Sequence, residues 1–173
     1  MKRGLLIILF VLVLLYIPSN NNAQETSQQE KGKVGIGFQS CFPVWGGSVM
    51  LNLNEHNSIQ GMLGMLGDVK SYGGRYLYRF SNKQHSNTYG YGLLGAFSYT
   101  GYVYNENYHL EKKTETVFGY GAGLGVEYSW QRWMPDLFPL WWNIEIGFGS
   151  IKFEEVDYDF SAIFYGAGFH YYF

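Results

Sequence analysis

Cysteine is nearly missing from this chain. Cys41 is the only one in 173 residues, which excludes an intrachain disulfide and a metal centre built on thiolates. It reads as a small, weakly polar filler. Charge is scarce as well. Asp, Glu, Lys and Arg make up 15% of the chain, against about 25% in ordinary soluble domains. The formal net charge of −2 offers no basic footprint for nucleic acid. Long apolar runs are missing after Ile17, so no later segment approaches the roughly 20 residues that a helix needs to span a bilayer.

The first 23 residues stand apart. Lys2 and Arg3 precede the apolar run Gly4 to Ile17, and "PSNNNA" leads to Ala23. A charged start, a short apolar core and a small residue before the cut make a cleavable secretory signal peptide over 1–23. Gln24 to Gly32 ("QETSQQEKG") is a polar tail, and the single domain is expected over 33–173.

What the chain has is glycine and aromatic rings: 23 Gly, 16 Tyr, 13 Phe and 5 Trp. They are arranged with period two. In "FGYGAGLGVEYSW", Gly119, Gly121, Gly123 and Gly125 alternate with Tyr120, Ala122, Leu124 and Val126. In "AIFYGAGFHYYF", Ile163, Tyr165, Ala167, Phe169, Tyr171 and Phe173 oppose Ala162, Phe164, Gly166, Gly168, His170 and Tyr172. Similar alternation places Tyr72, Tyr76, Tyr78 and Phe80 against Gly73, Arg75, Leu77 and Arg79, and Trp142, Ile144, Ile146 and Phe148 against Asn143, Glu145, Gly147 and Gly149. In "TYGYGLLGAFSYTGY", Tyr89, Tyr91, Leu93, Phe97 and Tyr99 are assigned to the bulky face and Gly90, Gly92, Leu94, Ala96 and Ser98 to the small one. Segments beginning at Lys33, Ser48 and Ser58 bring the expected strands to eight. Turns are expected at 54–57, 81–87 and 131–140 on one end, with loops at 43–47, 67–71, 103–116 and 150–160 on the other. The 131–140 turn, rich in Trp and Pro, reads as an interface anchor.

Eight antiparallel strands joined by hairpins close without exposed edges as a barrel. Two orientations of its wall compete. In a soluble barrel the second face meets water and should carry Lys, Glu and Thr. Here that face carries mostly glycine, which contributes nothing to an exposed strand and costs entropy. Facing inward, glycine makes room in a barrel just wide enough for side chains. The bulky face, with rings near strand ends and aliphatic groups between them, suits lipid. The fold class is therefore all-β: an eight-stranded antiparallel up-and-down transmembrane β-barrel.

From Lys33 to Phe173 the chain resembles the small eight-stranded outer-membrane barrels of the OmpA transmembrane-domain and OmpX type. The most specific element is the ending "GFHYYF", with rings at alternate positions and a terminal Phe. The resemblance implies that Phe169, Tyr171 and Phe173 are read by the barrel-assembly machinery. It also implies a place in the outer membrane of a Gram-negative cell envelope, contact with outer-membrane lipid and lipopolysaccharide, and no cofactor. The chain stops at the barrel, so no peptidoglycan-binding domain is implied. The implied role is structural or one of surface interaction through extracellular loops, with an unidentified protein or glycan partner.

Candidate chemistry is thin. Lys33, Arg75, Arg79, Glu127, Glu145 and His170 are expected inside, where isolated charges are costly and should pair. A rough register brings Glu127 near Glu145, and a lumen network of Arg75 and Arg79 with Glu127 and Glu145 is expected, either as a structural plug or as a gate or proton path. "GYGLLG" (Gly90 to Gly95) fits a dinucleotide motif only between a strand and a helix, and no helix signal follows it. "QHSNT" carries His85, Ser86 and Asn87, one residue short of the His-x-Ser-Asn of lipid A deacylases, and falls in an expected turn. No catalytic or metal residues are assigned. "EEVDYD" (Glu154 to Asp159) reads as a solvated loop rather than a calcium loop. A lipid A deacylase-like enzyme and a narrow small-solute channel are the two rival functions.

Overall fold

Strict alternation needs a sheet whose two faces meet different surroundings, and this chain meets that need by wrapping one sheet on itself. The computed structural model describes residues 32–41, 44–104, 108–134, 136, 138–154 and 158–173. The expected signal segment and all of the expected tail except Gly32 lie outside them. The strands are β1 (Val34–Cys41), β2 (Val44–Asn52), β3 (Asn57–Leu66), β4 (Val69–Lys83), β5 (Ser86–Tyr104), β6 (Leu110–Ser129), β7 (Leu140–Phe153) and β8 (Tyr158–Tyr172). Each pairs antiparallel with the next, and β1 pairs with β8 to close the barrel. The start of β1 and the end of β8 lie together, at the end that also holds the connections 53–56, 84–85 and 130–139.

The strands are longer than the sequence suggests. The expected loops 103–116 and 150–160 are largely strand: β5 and β6 stay paired up to Tyr104 opposite Leu110, and β7 and β8 up to Phe153 opposite Tyr158. Thr100, Thr114 and Thr116 are β-branched and favour strand as much as loop. The connection between β4 and β5 is two residues, 84–85, rather than 81–87. Gly67 supplies the positive φ (59°) needed by the tight turn between Leu66 and Val69.

The outer wall is apolar. Outward on β4 run Tyr72 to Phe80, on β6 Phe118 to Tyr128, and on β8 Ile163 to Phe173, with Ile36, Val49, Leu51, Ile59, Leu63, Ile144 and Ile146 on the remaining strands. Nine to eleven residues at about 3.3 Å each, tilted about 40°, give a band about 25 Å tall. Its rims are aromatic. Tyr72, Phe118, Tyr120 and Phe148 line one, and Tyr78, Phe80, Tyr128, Trp142, Tyr171 and Phe173 the other. Rings stack between strands, Phe38 on Phe169 at 6.1 Å and Tyr128 on Trp142 at 5.2 Å.

One strand overturns its expected assignment. On β5 the buried residues are Tyr89, Tyr91, Leu93 and Phe97, and Leu94 is outward and 72% exposed. The cause is a β-bulge on β4. From Lys83 opposite Ser86 to Ser81 opposite Thr88 the hairpin runs in one register; beyond Phe80 it shifts by one, so Arg79 faces Tyr89. Because side chains alternate, a one-residue slip turns a whole strand over. Without the bulge Arg79 would pair with Gly90, and the glycines of β5 would point inward as the sequence suggests.

The bulge places rings over glycines. Tyr89 lies opposite Gly125 and Tyr91 opposite Gly123. A Cβ added at Gly125 would stand 2.5 Å from the Tyr89 ring, at Gly123 2.6 Å from the Tyr91 hydroxyl, and at Gly119 2.8 Å from the Phe97 ring. The glycines of β6 are the floor on which the aromatic filling of the lumen rests.

Candidate functional site: the lumen

The lumen has two storeys. Away from the termini it is apolar, filled by Met62, Leu93, Phe97, Ile151 and Phe153. Towards the termini it is polar and equally closed, with Gln39, Ser48, Ser58, Gln60, Arg75, Arg79, Asn87, Glu127, Asn143, Glu145 and His170 all buried. Gly166 and Gly168 on β8 keep the wall thin beside Glu145 and Gln39.

Two ion pairs organise the polar storey. Arg75 Nη1 is 2.6 Å from Glu145 Oε2, with both side chains fully buried. Arg75 also donates to Gln60 Oε1 through Nε at 2.8 Å and through Nη2, and its guanidinium lies 4.6 Å from the centre of the Tyr91 ring. Glu145 accepts further bonds from the Tyr89 hydroxyl at 2.5 Å and from Gln39 Nε2 at 3.2 Å. Nearer the termini, Arg79 Nε stands 3.5 Å from Glu127 Oε2, while its other nitrogens donate to Ser58 at 2.7 Å and Asn52 at 2.8 Å. Glu127 also accepts from Asn87 and from the Tyr172 hydroxyl, both at 3.2 Å.

The two carboxylates are not neighbours in register. Glu127 lies opposite Asn143, and Glu145 opposite Gly125. They are instead diagonal neighbours on the same lumen face, and each carboxylate has its own arginine. Lys33 is exposed at the rim instead of inside, because it precedes β1 and its long stem reaches water.

His170 is joined to this network through an amide. Arg75 occupies Gln60 Oε1, so the Gln60 NH2 group faces His170 Nε2 at 3.1 Å. The Ser48 hydroxyl lies 2.6 Å from the same nitrogen, and the tautomer of the ring sets which of these groups donates. The buried pair of Ser48 and His170 is thereby held as part of the filling.

The other motifs disperse. "GYGLLG" lies wholly within β5, with strand on both sides. His85 sits on the two-residue turn, while Asn87 turns into the lumen towards Glu127. Residues 155–157 of the acidic stretch and 105–107 of the longest loop lie outside the described residues. Phe169 and Phe173 are exposed on the outer face of β8, Phe169 against Phe38 and Tyr171 against Phe173 at 4.8 Å. Among the described residues no three His, Cys, Asp or Glu side chains gather as a metal site. Gln39, Gln60 and Asn143 were missed as members of the network; amides on a face otherwise made of glycine were the available signal.

At the turn, burial and the nearby Arg132 charge hold the His85 imidazole below its ordinary value of 6.5. The folded state thus favours neutral His85. Its contribution to stability is complete above about 6.5 and is lost as pH falls towards the lower folded value. An NMR titration should give His85 a midpoint below that of an unfolded peptide, and Arg132→Ala should raise it.

No family model matches the chain, and no curated protein matches it. Among solved structures, the N-terminal β-barrel domain of Pseudomonas aeruginosa OprF aligns with a TM-score of 0.50 and 13% identity, over 82% of this chain and 98% of that one. The likeness shows the fold: an eight-stranded barrel of the same kind.

Proposed function

We propose that the chain is an integral outer-membrane barrel that acts as a structural or surface-interaction protein through its extracellular hairpins, and that it is neither a general porin nor an enzyme. The observation that carries this reading is the pairing of an apolar outer wall with a lumen filled along its length. The polar storey joins its own groups to one another, and the apolar storey gives an ion no replacement for its hydration shell. The end with both chain termini carries the connections 53–56, 84–85 and 130–139, the last longer than the usual periplasmic turn, while the β5–β6 and β7–β8 hairpins extend furthest at the other end. On this reading the signal peptide exports the chain, and Phe169, Tyr171 and Phe173 present the assembly signal.

Two measurements test it. The protein should fractionate with the outer membrane and migrate as a compact band that shifts on boiling; a soluble periplasmic protein would contradict it. In planar bilayers the purified chain should show no stable unit conductance. Truncating the apolar storey with Leu93→Ala, Phe97→Ala and Ile151→Ala together should open a water path and produce measurable current. A wild-type channel of steady conductance would favour the small-solute reading instead.

A further inference from the structure

We propose that His85 is the trigger of an acid-released latch, which ties the β4–β5 turn to the short 3-10 helix after β6 at the end where β1 starts and β8 ends. The inference stands on the geometry of that end and goes beyond the reading of the protein's role.

The latch is built through one buried residue, Ser129. Its backbone N–H donates to the carbonyl oxygen of His85 at 3.0 Å, a last rung beyond Ser86 opposite Tyr128. Its hydroxyl accepts from the Gln131 N–H at 3.2 Å and caps the helix Trp130–Arg132. The N–H groups of Trp133 and Met134 then return to the Trp130 carbonyl oxygen, at 3.0 and 3.1 Å. Behind Ser129 lies the floor of the lumen. Trp141 is its partner on β7, and the Trp141 ring meets Tyr172 edge-on at 6.5 Å. A shift of the His85 backbone therefore acts on the helix and on the floor together.

The side chain of His85 suits only the neutral form. The residue is half-buried, and its Nδ1 is buried with no hydrogen-bond partner. Asn87 Oδ1, two residues on along the same face, is also buried without a partner, so the two atoms are not bonded to each other. The imidazolium carries an N–H on both nitrogens, so Nδ1 becomes a buried donor with no acceptor in place. The new charge also stands near Arg132. The other charges at this end do not offset it. Lys83, opposite Ser86 on β4, is exposed and of the same sign. Glu127, opposite Asn87 on β6, is engaged by Arg79 at 3.5 Å and by Asn87 and the Tyr172 hydroxyl at 3.2 Å. Asp136, further along the connection, is exposed and screened by water and salt. With the His85 imidazole held below 6.5 by burial and Arg132, the latched state binds fewer protons than the released one. The latch is complete above about 6.5 and is lost as pH falls through the lower folded value. Acid draws His85 away from Arg132, breaks the bond of its carbonyl to Ser129 and uncaps the helix, while the ladders of the mid-barrel stay formed.

The test is amide hydrogen exchange of the full chain refolded in detergent, at about pH 7.5 and about pH 5, on either side of the ordinary histidine range. Each rate is expressed as protection relative to the unstructured chain at the same pH. The Ser129 and Gln131 amides should lose more than about threefold of their protection in acid and regain it on return to neutral pH, while Tyr91 in mid-strand keeps its own. His85→Gln, which takes up no proton, should show no acid loss, and Arg132→Gln a smaller one. His56, His109 and His170 remain in the wild type and both variants alike, and the unboiled gel band checks that each variant folds. An undiminished loss in either variant, or no loss in the wild type, overturns the proposal and leaves the reading of the protein's role as it is.

Discussion

Glu145→Ala should lower the unfolding free energy of the barrel by about 3–5 kcal/mol, the usual cost of leaving a buried charge without its partner. Arg75 would remain in a closed lumen, its guanidinium beside Gln60 and the Tyr91 ring but with no anion within reach. Tyr89 and Gln39 would each lose an acceptor. The pair itself need not be a net gain, since desolvation offsets much of the attraction. A double change, Arg75→Met with Glu145→Leu, should therefore recover much of the loss. Urea unfolding in lipid vesicles, followed by tryptophan fluorescence, measures both variants. Lys152→Ala gives the comparison, because its contact with Glu154 is 4.0 Å long and exposed, and such pairs contribute about 0–1 kcal/mol. A loss below about 1 kcal/mol for Glu145→Ala would mean that water reaches the pair.

Gly37→Val should prevent closure of the barrel, or cost at least about 3 kcal/mol if a folded form survives, because overpacking against backbone has no soft neighbour to yield. Gly37 lies where β1 meets β8, opposite His170. A Cβ there runs into the carbonyl oxygen of Phe169 and the backbone of His170. That seam joins the first strand to the last and is the longest-range pairing in the fold. Outward glycines give the opposite result. Around Gly61 and Gly92 an added Cβ meets nothing within 4 Å. Alanine there should be neutral or stabilising by up to about 1 kcal/mol, through reduced entropy of the unfolded chain. The unboiled gel band reports folding, and urea midpoints report the rest. Similar losses at Gly37 and Gly92 would show that the wall is not turned as described.

Which face of each strand enters the lumen was legible wherever glycine or charge marked one side, as on β4, β6, β7 and β8. It failed on β5, where both faces carry glycine and both carry bulk. There the outcome depends on the bulge at Phe80, and a bulge leaves no alternation of its own in the sequence. The lumen charges were legible because Arg75, Arg79, Glu127 and Glu145 sit on faces otherwise made of small residues. Which arginine meets which carboxylate was not, since that depends on the exact register of strands across the barrel. The extended hairpins were hidden for another reason: polar, β-branched runs such as Thr114 to Thr116 serve equally as loop or as strand in water.

The neighbouring leucines of β5 report which way the barrel wall is turned, because the two possible faces of that strand are separated by one residue. A nitroxide placed at Leu94, with Cys41 replaced by Ala, should collide freely with oxygen dissolved in the bilayer and little with an aqueous nickel chelate. The same label at Leu93 should be immobile and shielded from both, buried beside Met62 and Phe97. A lipid-exposed label at 93 and a shielded one at 94 would contradict the account, and with it the bulge, the glycine floor and the filled lumen.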